Sequence, residues 1–226
     1  MLTTDNDKAG TKGSKLDKPR PAERFLGCDS KIHFDAETNR TVIVYSMRHY
    51  MEKCLERYKE LVVREVVFPH VESPYLPERS YTDGEAKEEG ELSADAAKIL
   101  MKVLYGARMG RWDLLREIGC LAQHMTKWSR ADDKRLFRVM SYIASSLDVE
   151  LECYIGDPFS ELTIEMYADA DHASDTFDKK STNGFCPILV GPNTWFPLMA
   201  VSQKQRSTAT STPEAEIVSA FKAMKA

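Results

Sequence analysis

The apolar residues of this chain change period once, near residue 149, and that switch limits the fold more than any other feature of the sequence. Before it, the spacing is helical. Ile99, Leu100, Val103 and Leu104 mark the face of one helix, with Ser93 as its predicted N-cap. A second helix is predicted from about Trp112 to Met125 and a third from about Asp132 to Ser146. After it, the pattern is that of strands: V-E-L-E-C-Y-I, E-L-T-I-E-M-Y-A, G-F-C-P-I-L-V-G and N-T-W-F-P-L-M-A-V-S, the last two joined by a G-P-N turn. Pro187 and Pro197 inside these runs predict bulges or edge positions, because proline has no amide hydrogen for a ladder. Thr212 as N-cap and Pro213 at the first helical position then open a final helix, whose apolar face is Ile217, Ala220, Phe221 and Met224. The C-terminal third therefore reads as strand, strand, strand, helix.

Upstream, R-F-L-G-C-D-S-K-I-H-F-D and T-V-I-V-Y-S-M read as two strands around the polar turn A-E-T-N-R. A helix follows, with Tyr50, Met51, Cys54, Leu55, Tyr58 and Leu61 as its packing stripe. Residues 1–24 are polar and rich in Lys, Pro and Gly, the composition of a disordered leader. The stretch 71–92 combines prolines with an acidic run and reads as a linker. No apolar run reaches the roughly 18 residues that span a bilayer, so no membrane partner is expected, and the expected compartment is cytosol or nucleus. Cys28, Cys54, Cys120, Cys153 and Cys186 are odd in number and scattered, which argues for reduced thiols and against a disulfide framework or a cysteine zinc site. The net charge of −4 runs against nucleic-acid binding on average, yet S-Q-K-Q-R at 202–206 carries only positive charge.

The stretch Y-A-D-A-D-H-A-S-D-T-F-D-K-K-S-T-N-G-F, residues 167–185, crowds Asp169, Asp171, Asp175 and Asp178 together. Such a cluster means either a solvated loop or a bound cation. A calcium loop of the EF-hand type fails: counted from Asp169, position 6 is Ser174 where Gly is needed and position 12 is Lys180 where Glu is needed. Magnesium-assisted phosphoryl chemistry instead needs carboxylates from separate elements around two ions. Asp169 at a strand end and Glu216 one turn into the last helix could supply two of them. Alternation along a strand would aim Asp169 and Asp171 to the same side.

These residues also carry a resemblance. The segment just quoted, followed by V-S-Q-K-Q-R-S-T-A-T-S-T-P-E-A-E-I, is similar to the ribonuclease H part of copia-type LTR retrotransposon Pol polyproteins. That family has a strand ending in an Asp-Ala-Asp loop, a K-S-T-x-G-aromatic start to the second strand, an S-K-K-Q third-strand end and a T-E-A-E helix. R-F-L-G-C-D-S-K-I-H-F-D with the Y-M-E-K-C-L-E-R-Y helix resembles the end of the reverse transcriptase. The helices between resemble the segment that connects polymerase to ribonuclease H. The resemblance spans about residues 25–226.

It implies an α+β chain: a small β-hairpin and helix piece (25–70), an acidic, Pro-rich linker (71–92), a helical connection (93–148) and a partial ribonuclease H-like fold of three antiparallel strands and a helix (149–226). By resemblance, Asp169 and Glu216 are catalytic and ligate Mg2+, while Ser181, Thr182, Gly184, Lys204 and Gln205 contact nucleic acid. Asp171, Asp175 and Asp178 match acidic loop positions without an assigned role. The implied activity is hydrolysis of the RNA strand in RNA–DNA hybrids, with the hybrid as partner. The sequence departs from the family with His172 in place of Trp and with Pro213. Nothing in 1–24 resembles the polymerase Asp-Asp pair, and the family's remaining two carboxylates belong beyond the first helix. A truncated, inactive chain is therefore expected. The alternative is a non-catalytic nucleic-acid-binding or protein-interaction module with a protein partner at an exposed sheet edge.

Overall fold

The computed structural model describes residues 23–62, 64–76, 80–171 and 180–225. The predicted leader, and with it His172, Asp175 and Asp178, lies outside the described residues, apart from Glu23 and Arg24 of that leader. The chain opens with β1 (Arg24–Phe25), β2 (Cys28–Asp35) and β3 (Arg40–Ser46). The single long strand predicted at 24–35 is broken at Leu26 and Gly27, which take φ of 52° and 82°. Two consecutive residues in the left-handed region make a tight hairpin, which glycine at the second position eases. Asn39 turns the next corner at φ 54°, a conformation asparagine tolerates better than most residues.

Helix α1 (Arg48–Leu61) buries Met51, Cys54 and Tyr58, as its stripe predicts. The first predicted connecting helix is α2 (Ala96–Met109); it starts three residues after Ser93, whose hydroxyl donates instead to Glu89 at 2.8 Å. The second begins as a 3-10 turn at Trp112–Leu114 and continues as α3 (Leu115–Gln123). The third is α4 (Arg130–Ser145), capped by Ser129. Ser129 and Asp132 exchange side-chain and backbone hydrogen bonds as a capping box. These helices hold the main core: Met51, Ile99, Leu100, Val103, Leu114, Ile118, Leu121, Leu136, Met140 and Ile143 are all fully buried.

The linker is fastened to the start of α4. Arg130 N donates to Glu88 O at 3.0 Å and Ala131 N to Glu85 O at 3.2 Å, so linker carbonyls satisfy amides that a helix N-terminus leaves unpaired. Ion pairs Glu85–Lys134 at 2.6 Å and Glu88–Arg130 at 3.0 Å run alongside, and Asp133 accepts from Glu91 N at 2.6 Å. From Glu85 to Glu91 the stretch predicted as a linker is thus a docked loop.

Strands β4 (Glu150–Ile155), β5 (Thr163–Asp171), β6 (Thr182–Gly191), β7 (Thr194–Pro197) and β8 (Val201–Lys204) join the N-terminal hairpin in one eight-stranded antiparallel sheet. The order is β1-β2-β3-β4-β7-β6-β5, with β8 also on β6. β4 pairs with β3 over six positions and with β7 at Tyr154 and Trp195, so one sheet joins the N-terminal hairpin to the C-terminal strands. The last predicted strand is split at 198–200. Pro187, inside β6 rather than at an edge, explains the place of the split. Its carbonyl accepts from Leu198 N at 2.9 Å, so the side of Pro187 without an amide hydrogen faces the gap between β7 and β8. Pro197 is the last residue of β7, a strand inside the sheet between β4 and β6 and not at its edge.

Helix α5 (Thr212–Ala223) is capped by Ser211, one residue before the predicted Thr212, and Pro213 lies within its first turn. Its predicted apolar face is exposed: Ile217, Phe221 and Met224 lie 69%, 55% and 73% open. The buried face is Ala215, Ser219 and Ala223. Small residues let the helix come close enough for Ser219 Oγ to donate to Asp169 O at 2.7 Å, which longer apolar side chains would prevent.

Candidate functional site

The β5–β6 hairpin sets the site. Asp169 pairs with Gly184 and Asp171 with Thr182, while Thr182 and Gly184 pair on the other side with Lys204 and Ser202 of β8. Alternation places Ala170 toward α5, where it packs with Ala209 and Ala215. Asp169 and Asp171 face the other way, as the sequence predicts. There they line an open cleft of about 420 Å³ with Thr182, Gly184, Ser202 and Arg116. Gly119 of α3 faces this floor at ordinary contact distance, since a Cβ built on it would lie 4.0 Å from Ser202 O.

Arg116 is the residue that the sequence reading missed. It stands in the first turn of α3 and forms an ion pair with the Asp171 carboxylate, 55 residues away in sequence. Its guanidinium carbon lies 5.4 Å from the centre of the Tyr75 ring, so the fork is held between a carboxylate and an aromatic face. Among the described residues it is the one cationic side chain lining the cleft. A signal was present: a cation in the first turn of a helix opposes the macrodipole, and such a local conflict implies a partner elsewhere.

The remaining predicted residues divide. Thr182 and Gly184 line the cleft with Asp169. Lys204 closes β8 opposite Thr182. Ser181 is fully buried, and its carbonyl accepts from Gln205 N at 2.8 Å. Gln205 is buried on the α5 side, where its amide nitrogen donates to Asn183 at 2.6 Å and to Ala215 O at 2.9 Å. It clamps the start of α5 to β6. Glu216, half-buried on α5, does not line the cleft that holds Asp169. Among the described residues no three His, Cys, Asp or Glu side chains gather as a metal-holding group.

All five cysteines are free thiols. Burial pushes the Cys54 thiol up to about 12 and that of Cys153 to about 11, so neither is a reactive thiolate. No helix among the described residues is long and apolar enough to cross a membrane.

No family model matches the chain, and no solved structure does. The chain is similar to the retrovirus-related Pol polyprotein from transposon RE2 of Arabidopsis thaliana, at 29% identity over 171 residues. That alignment takes in 76% of this chain and 11% of the polyprotein. The similarity supports an origin in a retrotransposon Pol polyprotein.

Proposed function

We propose that the chain is a reverse transcriptase and ribonuclease H segment of a copia-type retrotransposon Pol polyprotein. The observation that carries this reading is the run β5, β6, β8, α5. Three antiparallel strands are followed by a helix packed on the first two, and Asp169 lies near the end of the first strand beside an open cleft. The ancestral activity is Mg2+-dependent hydrolysis of RNA in RNA–DNA hybrids, to which Asp169 and Glu216 would belong as metal ligands. In this reading the chain holds a hybrid through its backbone without cutting it, because α5 keeps Glu216 out of the cleft that Asp169 lines. Thr182, Gly184 and Lys204 on the β6–β8 floor support such contacts.

The test uses the purified chain and a duplex with fluorescently labelled RNA. The expected result is salt-sensitive binding by anisotropy with no RNA cleavage at millimolar Mg2+. Cleavage that disappears on Asp169→Asn would overturn the inactive reading. A chain that fails to bind the hybrid at low salt would remove the nucleic-acid reading altogether.

A further inference from the structure

The cleft beside Asp169 is shared between two parts of the chain, because one of its walls comes from the helical segment. We infer that Arg116 is a nucleic-acid-backbone contact supplied by α3 and held back by Asp171, so that the two residues act on binding with opposite sign. The inference rests on the hybrid-binding reading above and names the residue through which that cleft meets a phosphate.

A guanidinium presents five donors in a planar fork, and a single carboxylate cannot occupy all of them. The Arg116 side chain retains 39% of its accessible surface, so it is not sealed behind Asp171. Tyr75 lies beside the fork, its ring centre 5.4 Å from the guanidinium carbon, and leaves the charge in place. The floor below is made of small groups. Gly184 has no side chain, and a Cβ built there would reach no nearer than 4.0 Å to Asp169 O. Ser202 and Thr182 flank it with hydroxyls. A polynucleotide backbone can therefore come close to the sheet at this point, and Arg116 is placed to meet a phosphate oxygen.

The two acidic side chains set the sign of the effect. Asp169 and Asp171 repel a phosphate, and Asp171 also competes for the fork of Arg116. Binding a phosphate at Arg116 means exchanging one anionic partner for another. The resting ion pair accordingly lowers affinity. It keeps the cleft closed to weakly held anions and open to a polyanion that brings several contacts at once.

The experiment measures hybrid affinity across a salt series for the full chain and for R116Q, R116K, D171N and the double variant R116Q/D171N. Arg116→Gln should weaken binding by about 5-fold at low salt and reduce the log–log salt slope by about one, the signature of one lost phosphate contact. Asp171→Asn should strengthen binding by a similar factor, and that gain should vanish in the double variant. Arg116→Lys should recover part of the affinity, because the charge remains while the fork is lost. If Arg116 only braces the fold, R116Q and D171N will both lower thermal stability and shift binding in the same direction, which overturns the inference. If the unmodified chain does not bind hybrid, the parent reading fails with it. Binding by the unmodified chain without opposite signs sinks the inference alone.

Discussion

A Cβ at Gly106 would stand 2.4 Å from Met51 Cε and 3.0 Å from a Tyr50 ring carbon. Met51 is fully buried, so its methyl group cannot swing into solvent. Gly106→Ala gains about 1 kcal/mol in helix propensity but overpacks the contact between α1 and α2 by about 1–3 kcal/mol. A net loss of about 1 kcal/mol in urea unfolding is expected, with unchanged m-value, and a gain in stability would show that α1 yields more readily than its burial suggests. Glu85 carries a pH dependence of its own. Hydrogen bonds from Lys134 and from the Thr82 amide pull its carboxyl down from 4.5 to about 2. A carboxyl lowered in the folded state adds stability above its ordinary value and loses it as pH falls toward the lowered one. Melting temperature should therefore fall between pH 4.5 and about 2, and Glu85→Gln should flatten part of that fall. Asp132 acts in the same direction: burial pushes its carboxyl up, but hydrogen bonds from His124 and Ser129 outweigh this and leave it lowered. An unchanged acid limb in E85Q would mean that solvent screening cancels the Glu85 pair.

At the scale of elements, α5 shows how a helix can be found correctly and turned the wrong way. Its start was legible from the Ser/Thr-rich run and Pro213, but its packing face was not, because hydrophobicity does not report how close two backbones must come. The close approach is set by Ala215, Ser219 and Ala223, and by a hydroxyl that bonds to main-chain oxygens of both β5 and β6. Polar substitutions at the exposed stripe, Ile217→Glu and Phe221→Lys, should change stability by no more than about 0.5 kcal/mol. Ser219→Leu should cost several times that through overpacking. The reverse ranking in thermal unfolding would restore the face predicted from hydrophobicity. The same limit explains the split of the last strand: alternation marks where a strand runs, but the amide that Pro187 lacks matters only once its neighbour is known. In the cleft, Asp169 and its shared face with Asp171 were legible from a period of two. Arg116 was not assigned, because its partner is distant in sequence and only the fold brings them together.

Across the whole molecule the core is uneven. The helices carry nearly all of the large buried side chains, whereas α5 rests on the β5–β6 hairpin through a cluster of three alanines. The C-terminal part borrows its stability: β4 is paired chiefly with β3, and β8 is packed under α3. Residues 149–225 expressed alone should therefore give no cooperative thermal transition by circular dichroism. A sharp transition in that piece would establish an independent domain where the sheet topology argues against one.

The pairing of β3 with β4 also sets an order of events in time. Cys153 Sγ donates to Ile43 O at 3.4 Å across 110 residues of chain, and the helical layer is encoded between them. At about 5–20 residues per second, the ribosome delivers the partner of β3 about 5–20 s after β3 itself. Through that interval the inner edge of the first hairpin is a row of unpaired amides and carbonyls, open to pairing with another chain until β4 arrives.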